Sequence, residues 1–400
     1  MGDELMKYVL IGNGIAALSA CENIRKNDKG GKITIISKEP YPTYYRLKLS
    51  QLLGKDLNFK SLLVKEENWY TDNDIELMLN TSVRKVDTKN KKLILSNDEI
   101  ISYDRLIIAT GSSSFIPNVL GREKKGVFAI RSLEDVKDLN EFIKDKKKGV
   151  VIGGGLLGLE AAWTLRQNGY EITVVEFFPR LLPRQADEEG SIILKDIIES
   201  NGINLLLGAE VTEITGQTVN GIILKDGTKM DADFVIFSSG VKPNIDIVKE
   251  TEIKVNKGII VDEYMRTNIE DVYAAGDVAE FNGKIYGLWT VAMAQGKNVG
   301  LNVSGNKTAY KEVAPSSTLK ITGIDVFSAG DISGEENISK SYIGNNVYYK
   351  LYFKDGIIVG AILIGDIGKS TKLKNAIESK QDFSNILNKG FGAKDIIEAI

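Results

Sequence analysis

The 400-residue sequence predicts an α/β fold with two parallel βαβ units followed by a smaller α+β domain. Three observations lead there. A strand, glycine turn, helix, strand segment occurs twice. Two further apolar runs end in small residues and glycine. After about Tyr310 the pattern changes to short strands joined by a hairpin signal, then to a charged helical tail.

The first copy of the repeat runs from the apolar strand Tyr8-Val9-Leu10-Ile11 through Gly12-Asn13-Gly14-Ile15-Ala16-Ala17 into a helix, then to the strand Ile33-Thr34-Ile35-Ile36. The second runs from Val150-Val151-Ile152 through Gly153-Gly154-Gly155-Leu156-Leu157-Gly158 into a helix over Leu159 to Asn168, stopped by Gly169, then to Ile172-Thr173-Val174-Val175. Gly12 aligns with Gly153, Gly14 with Gly155 and Ala17 with Gly158. The first glycine of such a turn permits the sharp exit from the strand. The second lets the backbone approach a pyrophosphate with no Cβ in the way, and the third small residue lets the helix pack on the sheet. The helix N-terminus then offers unpaired N–H groups to negative charge. Taken singly, either copy reads equally as a tight turn before a helix. Two copies in register, with matching flanks, read as Rossmann-like dinucleotide sites.

The ends of the second strands differ. Glu176 follows Val175 directly, placed to accept hydrogen bonds from a ribose diol, and its carboxylate opposes a 2′-phosphate, which favours NADH over NADPH. Arg180 and Arg184 follow and could reach a phosphate instead. In the first copy Ser37 holds that position and Glu39 comes two residues later, readable as a ribose ligand or as a solvated loop carboxylate.

Composition narrows the chemistry. Net charge is −3, with no basic field that invites nucleic acid or an anionic membrane surface. No run of about 18 apolar residues appears and no leader pattern precedes Tyr8, so the chain reads as cytoplasmic. There is no His and one Cys. That excludes an internal disulfide, a zinc ribbon and an iron–sulfur cluster, and no metal site is expected. Cys21 aligns with Ala162 on the small-residue face of its helix and reads as a packing residue.

The remaining apolar runs are Leu106-Ile107-Ile108-Ala109-Thr110-Gly111 and Asp271-Val272-Tyr273-Ala274-Ala275-Gly276-Asp277. Together with both glycine turns, they make the sequence resemble the FAD-dependent pyridine nucleotide–disulfide oxidoreductases, from about Lys7 to the C-terminus. The resemblance implies an FAD domain (1–117 and 244–310), an inserted NAD domain (118–243) and a C-terminal interface domain (311–400). It implies that Gly12, Gly14 and Ala17 hold the FAD pyrophosphate; of the two readings of Glu39, the ribose ligand is preferred. Asp277, after Gly276, would bond the ribitol chain. Ala109, Thr110 and Gly111 would line the adenosine, and the Val83 backbone would meet adenine. Gly153, Gly155, Gly158 and Glu176 would take NADH, with Glu160 near the nicotinamide and Gly240 at a turn approaching it. Glu160 reads otherwise as a solvent-facing carboxylate in the first turn of its helix.

Disulfide reductases of this family carry a Cys pair beside the flavin, and its peroxidases and oxidases one Cys. Here that region reads Tyr44-Tyr45-Arg46-Leu47-Lys48-Leu49-Ser50-Gln51. This stretch, Gly287-Leu288-Trp289 with Ala292 to Lys297, and Leu319 to Asp331 look like NADH:rubredoxin reductases and the flavin portion of NADH-dependent nitrite reductases. In that group Arg46 and Lys48 would lie against the flavin or its pyrophosphate, and Lys48 with Glu160 would serve catalysis. Arg46 and Lys48 read otherwise as a basic loop in water. Many relatives carry Lys where Gln51 stands, paired with the glutamate at Glu160.

Ser132 and Asp135 form a capping-box pattern for a helix running to about Lys146, its Lys146-Lys147-Lys148 run suiting a helix C-terminus. Lys354-Asp355-Gly356 marks a hairpin. The functional expectation is hydride transfer from NADH to flavin N5, then electron release to an external acceptor, first a rubredoxin-like iron–sulfur protein. An oxidase reducing oxygen and a non-turnover FAD/NADH-binding module are the alternatives. A homodimer through the C-terminal domain is common among such enzymes.

Overall fold

The computed structural model describes residues 5–55, 58–321, 324–334, 338–344 and 347–400. Thr322 and Gly323, inside the stretch singled out from Leu319 to Asp331, lie outside the described residues. The chain divides into two compact units. One comprises residues 1–47, 58–113 and 241–313, the other residues 48–57, 114–240 and 314–400.

The first unit is built on a five-stranded parallel sheet ordered Val272–Ala274, Arg105–Ile108, Lys7–Ile11, Lys32–Ile36, Ile75–Met78. Its strands are near-continuous apolar runs because helices cover such sheets on both faces. Leu10, Ile35 and Ile107 are fully buried in its core. The helix Ile15–Asn27 follows the first glycine turn and packs against the helix Trp289–Val303 through small residues. A Cβ on Gly296 would lie 2.1 Å from the Ala16 carbonyl oxygen, and one on Gly300 2.5 Å from that of Ala20. Cys21 sits on this helix, fully buried, and burial pushes its thiol pKa up, so it stays a protonated packing residue.

In the second unit a parallel sheet runs Val127–Ala129, Phe234–Phe237, Lys148–Ile152, Glu171–Glu176, Asn204–Leu207. Read from the strand before each glycine turn, the order is the same in both sheets. Each also carries a three-stranded antiparallel meander between its third strand and the strand that pairs with its centre: Val83–Asp87, Lys92–Leu95 and Ile100–Ser102 in one, Val211–Thr215, Gly221–Leu224 and Lys229–Asp231 in the other. The duplication seen in two short motifs therefore extends to seven strands apiece, four in the sheet and three in the meander.

The capping box forms as expected, the Ser132 hydroxyl accepting from the Asp135 amide and the Asp135 carboxylate from the Ser132 amide. That helix nevertheless spans Leu133–Phe142, ending four residues before Lys146. The Asp233 carboxylate accepts the Lys147 and Lys148 amides at 2.9 and 2.8 Å, drawing them into the extended strand that begins at Lys148. The helix after the second glycine turn is Leu156–Gln167, starting three residues ahead of Leu159 because Gly155 is its N-cap.

The C-terminal stretch forms an antiparallel sheet ordered Ser316–Ile321, Ile324–Gly330, Ile357–Gly365, Val347–Lys354, Ile338–Gly344. Asp355 and Gly356 turn the predicted hairpin at φ 51° and 80°, the left-handed pair that a two-residue turn requires. Helices Ser370–Glu378 and Ala393–Ala399 supply Leu373 and Ile396 to its core. No helix among the described residues is long and apolar enough to cross a membrane.

Candidate functional site

Each glycine turn leaves its strand at a positive φ, 107° at Gly12 and 122° at Gly153. A Cβ on Gly12 would lie 2.2 Å from the Ala109 carbonyl oxygen, and one on Gly153 would lie 2.3 Å from that of Ser238. These glycines are fixed by the protein's own backbone. Gly14 and Gly155 are different. Both have ordinary extended backbone, φ −92° and −83°, and a Cβ on either would meet nothing within 4 Å. Neither conformation nor packing demands glycine there. What remains is a cradle at the head of each helix that a Cβ would fill, matching the approach of a pyrophosphate. The residues present therefore fit a dinucleotide at both turns. At the third position Ala17 is buried, whereas a Cβ on Gly158 would lie 2.0 Å from the Gly153 carbonyl oxygen, so only the second helix needs glycine there.

Around the first turn, Asn13 is buried and its amide donates to the Tyr41 carbonyl at 3.0 Å. Its side-chain oxygen accepts from the Thr43 hydroxyl at 2.7 Å, and the Tyr70 hydroxyl donates to that of Thr43 at 3.0 Å. This chain ties the turn to the 41–46 segment. There the two Glu39 oxygens accept from the Tyr44 hydroxyl at 2.6 Å and the Arg46 guanidinium at 2.5 Å, and Arg46 also donates to the Tyr44 hydroxyl at 2.8 Å. Glu39 and Arg46 are thus brought together as an ion pair, and each carboxylate oxygen keeps a lone pair for another donor. Tyr45 stacks on Trp289 at 5.5 Å between ring centroids.

Ala109 is buried at the end of its strand. Thr110 donates its hydroxyl to the Asn244 carbonyl at 2.9 Å, while the Asn244 amide group donates back to the Thr110 carbonyl at 2.8 Å. Gly111 adopts φ 66° and accepts the Asn244 amide proton at 2.9 Å. Gly276, at φ 81°, donates to the buried Gln295 side chain at 2.9 Å, and Asp277 accepts the Ser112 hydroxyl at 2.7 Å. Val83 opens its meander, paired with Leu95.

In the second unit Glu176 is buried. Its carboxylate accepts from the Gly154 amide at 2.5 Å and from the Phe178 amide at 2.8 Å, so it braces the glycine turn from within. Arg180 donates to the Ala186 and Pro183 carbonyls at 2.5 and 3.1 Å, which turns it inward along its own loop; Arg184 is exposed. Glu160 is half-buried, and the Ser50 hydroxyl donates to it at 2.8 Å. Burial pushes its carboxyl up, and the Ser50 bond offsets part of that rise. Its partner is therefore a neutral hydroxyl one residue before Gln51. Lys48 lies half-buried on the short 3₁₀ helix Arg46–Leu52, and Gly240 adopts φ 103° with open space where a Cβ would be. No group of three or more metal-binding side chains occurs among the described residues.

Asn13, Ser50 and Gln295 lie inside stretches that the sequence marks out, and Thr43, Tyr70 and Asn244 outside them, but the sequence assigns none of the six a role. Only Asn13 gave a signal, a polar residue between two glycines.

Residues 6–296 match a family model described as pyridine nucleotide-disulphide oxidoreductase, and residues 315–381 one described as rubredoxin NAD+ reductase C-terminal domain. A nitrite reductase (NAD(P)H) of Bacillus subtilis (strain 168) is 39% identical over 94% of this chain and 48% of its own length. The chain spans about half the length of the Bacillus subtilis relatives it matches. The NADH-rubredoxin oxidoreductase of Clostridium acetobutylicum is 35% identical over 95% of this chain and 96% of that one. The crystal structure of NADH:rubredoxin oxidoreductase from Clostridium acetobutylicum superposes with a TM-score of 0.81 at 32% identity, covering 99% of this chain and all of that one.

Proposed function

The chain belongs to the pyridine nucleotide-disulphide oxidoreductase family, and on that premise we propose that it is an FAD-dependent NADH oxidoreductase delivering electrons to rubredoxin or a similar small iron–sulfur protein. The paired cradles at Gly14 and Gly155 carry the reading, because glycine at those two positions serves no protein atom. The match of the C-terminal stretch to a rubredoxin NAD+ reductase domain supports the acceptor.

FAD, when bound, would supply the redox chemistry, interconverting two-electron exchange with NADH and one-electron exchange with an acceptor. The domains we assign are 1–117 with 244–310 for FAD, 118–243 for NADH and 311–400 for the C-terminal part. Gly12, Gly14 and Ala17 shape the cradle for the FAD diphosphate, with Arg46 supplying positive charge and Glu39 orienting it and offering a lone pair to the ribose. Val83, Ala109, Thr110 and Gly111 line the adenosine side. Asp277, beside Gly276, accepts from the ribitol. Gly153, Gly155, Gly158 and Glu176 form the NADH cradle. The Glu176 carboxylate, fixed in place by two backbone amides, opposes a 2′-phosphate, so NADH is preferred over NADPH. Glu160 and Gly240 face the nicotinamide end, and Lys48 serves the flavin side. With one buried Cys and no His, no cysteine relay stands between flavin and acceptor.

The test is anaerobic mixing of the FAD-loaded protein with NADH, followed by rubredoxin. Rapid bleaching by NADH and multiple turnovers of rubredoxin are expected. Slow bleaching, or rubredoxin left oxidised, overturns the reading. Steady NADH consumption in air without a protein acceptor would reassign the protein as an oxidase.

A further inference from the structure

The loop from 177 to 187 follows Glu176 and is held at its middle and at its far end. At the middle Leu182 donates its amide to the Gly154 carbonyl at 3.2 Å, inside the second glycine turn. Leu181 and Leu182 are fully buried, and the Ser191 hydroxyl donates to the Leu181 carbonyl at 3.0 Å. Leu182 adopts φ 46°. A branched side chain rarely takes that conformation, and it persists only where its surroundings over-determine it.

The far end is Asp187. One carboxylate oxygen accepts the Gly190 amide at 3.0 Å and caps the helix Glu188–Ser200. The other accepts Lys350 Nζ at 2.6 Å and the Tyr348 hydroxyl at 2.7 Å. Tyr348 is fully buried, and its hydroxyl also lies 3.3 Å from a Glu189 oxygen. Lys350 and Tyr348 both belong to the C-terminal strand Val347–Lys354, about 160 residues along the chain from the loop they hold. Burial raises the Asp187 carboxyl, but Lys350 and Tyr348 more than offset it and keep it below the usual carboxylate range.

Resting on the NADH reading above, we infer that Lys350 and Tyr348 are positioning residues for the dinucleotide: through Asp187 they hold the 177–187 loop against Gly154 and so set affinity for the adenylate half of NADH. Affinity for the nicotinamide half is not expected to depend on them. A strained loop relaxes when one of its two anchors is cut, and removing one member of a half-buried ion pair leaves the other charge uncompensated.

The experiment uses the FAD-loaded full chain as wild type, Lys350→Met, Tyr348→Phe and Lys350→Arg. Equilibrium dissociation constants are measured for NADH and for reduced nicotinamide mononucleotide, which lacks the adenylate, together with hydrogen exchange over 177–187. Lys350→Met should weaken NADH by about fivefold to tenfold, the range expected for a coupling residue outside the site. It should leave the mononucleotide unchanged and speed exchange at 181–187 but not at 150–152. Lys350→Arg should restore NADH affinity. Tyr348→Phe removes one oxygen only and should act in the same direction if Lys350→Met fails to fold. Unchanged NADH affinity and exchange, or equal weakening of both ligands, overturns the inference. A wild-type protein that binds no NADH overturns the functional reading instead.

Discussion

Glu160 is a carboxyl pulled two ways, raised by burial and lowered by the Ser50 hydroxyl, with burial the stronger. Because its folded pKa lies above the unfolded one, the native state holds the proton more tightly. Stability then falls as pH rises between the two values. Glu160→Gln cannot ionise, so its stability relative to wild type should rise from pH 4 to pH 8, measured as the shift in urea midpoint. Ser50→Ala should do the reverse, costing about 1.5–3 kcal/mol at pH 8, the loss of a hydrogen bond to a charged group, and less at pH 4. Glu160 could be singled out in the sequence because it follows a motif with fixed spacing. Ser50 could not, since it comes from 110 residues away and nothing local marks it. The same holds for Thr43 and Tyr70 beneath Asn13. Glycines impose their geometry on their own neighbours, whereas a buried hydroxyl takes its meaning from whatever the fold brings to it.

At the scale of elements, the two turn-and-helix units separate glycines that the fold requires from glycines that no protein atom requires. Gly158→Ala places its Cβ on the Gly153 carbonyl, so the helix Leu156–Gln167 must shift, and overpacking of this kind costs about 1–3 kcal/mol in chemical denaturation. Gly14→Ala meets no atom and should leave the stability of the flavin-free protein within about 1 kcal/mol, the scale of a helix-cap change, while the purified protein loses most of its FAD absorbance. Gly155→Ala should keep FAD and weaken NADH. The strands, the turns and the Asp355-Gly356 hairpin were legible because period and punctuation are local. The end of the helix Leu133–Phe142 was not. Lysines suit a helix terminus, yet Asp233, in the bend before the strand Phe234–Phe237 and some 85 residues later, claims the amides of Lys147 and Lys148.

For the molecule as a whole, a cofactor that binds only the folded chain stabilises it by mass action, about 4 kcal/mol at a thousandfold excess over its dissociation constant. Adding FAD to the flavin-free protein should therefore raise its melting midpoint in proportion to the logarithm of FAD concentration, and Gly14→Ala should flatten that slope. The equivalence of the two halves was only partly readable. Two motifs announced the repeat, but the shared strand order and the paired meanders required pairings that sequence does not carry. The two sheets also differ in where the fifth strand comes from. In one it is Val127–Ala129, just ahead of the glycine turn; in the other it is Val272–Ala274, far downstream of it. During synthesis the sheet of residues 127–237 has every strand in hand once Phe237 has emerged. The other sheet, begun at Lys7, must wait with one side uncovered until Ala274 follows. Ribosome-bound chains truncated between these points should protect 127–237 from protease while leaving the strand Arg105–Ile108 without its outer neighbour, an interval in which the half made first is the half completed last.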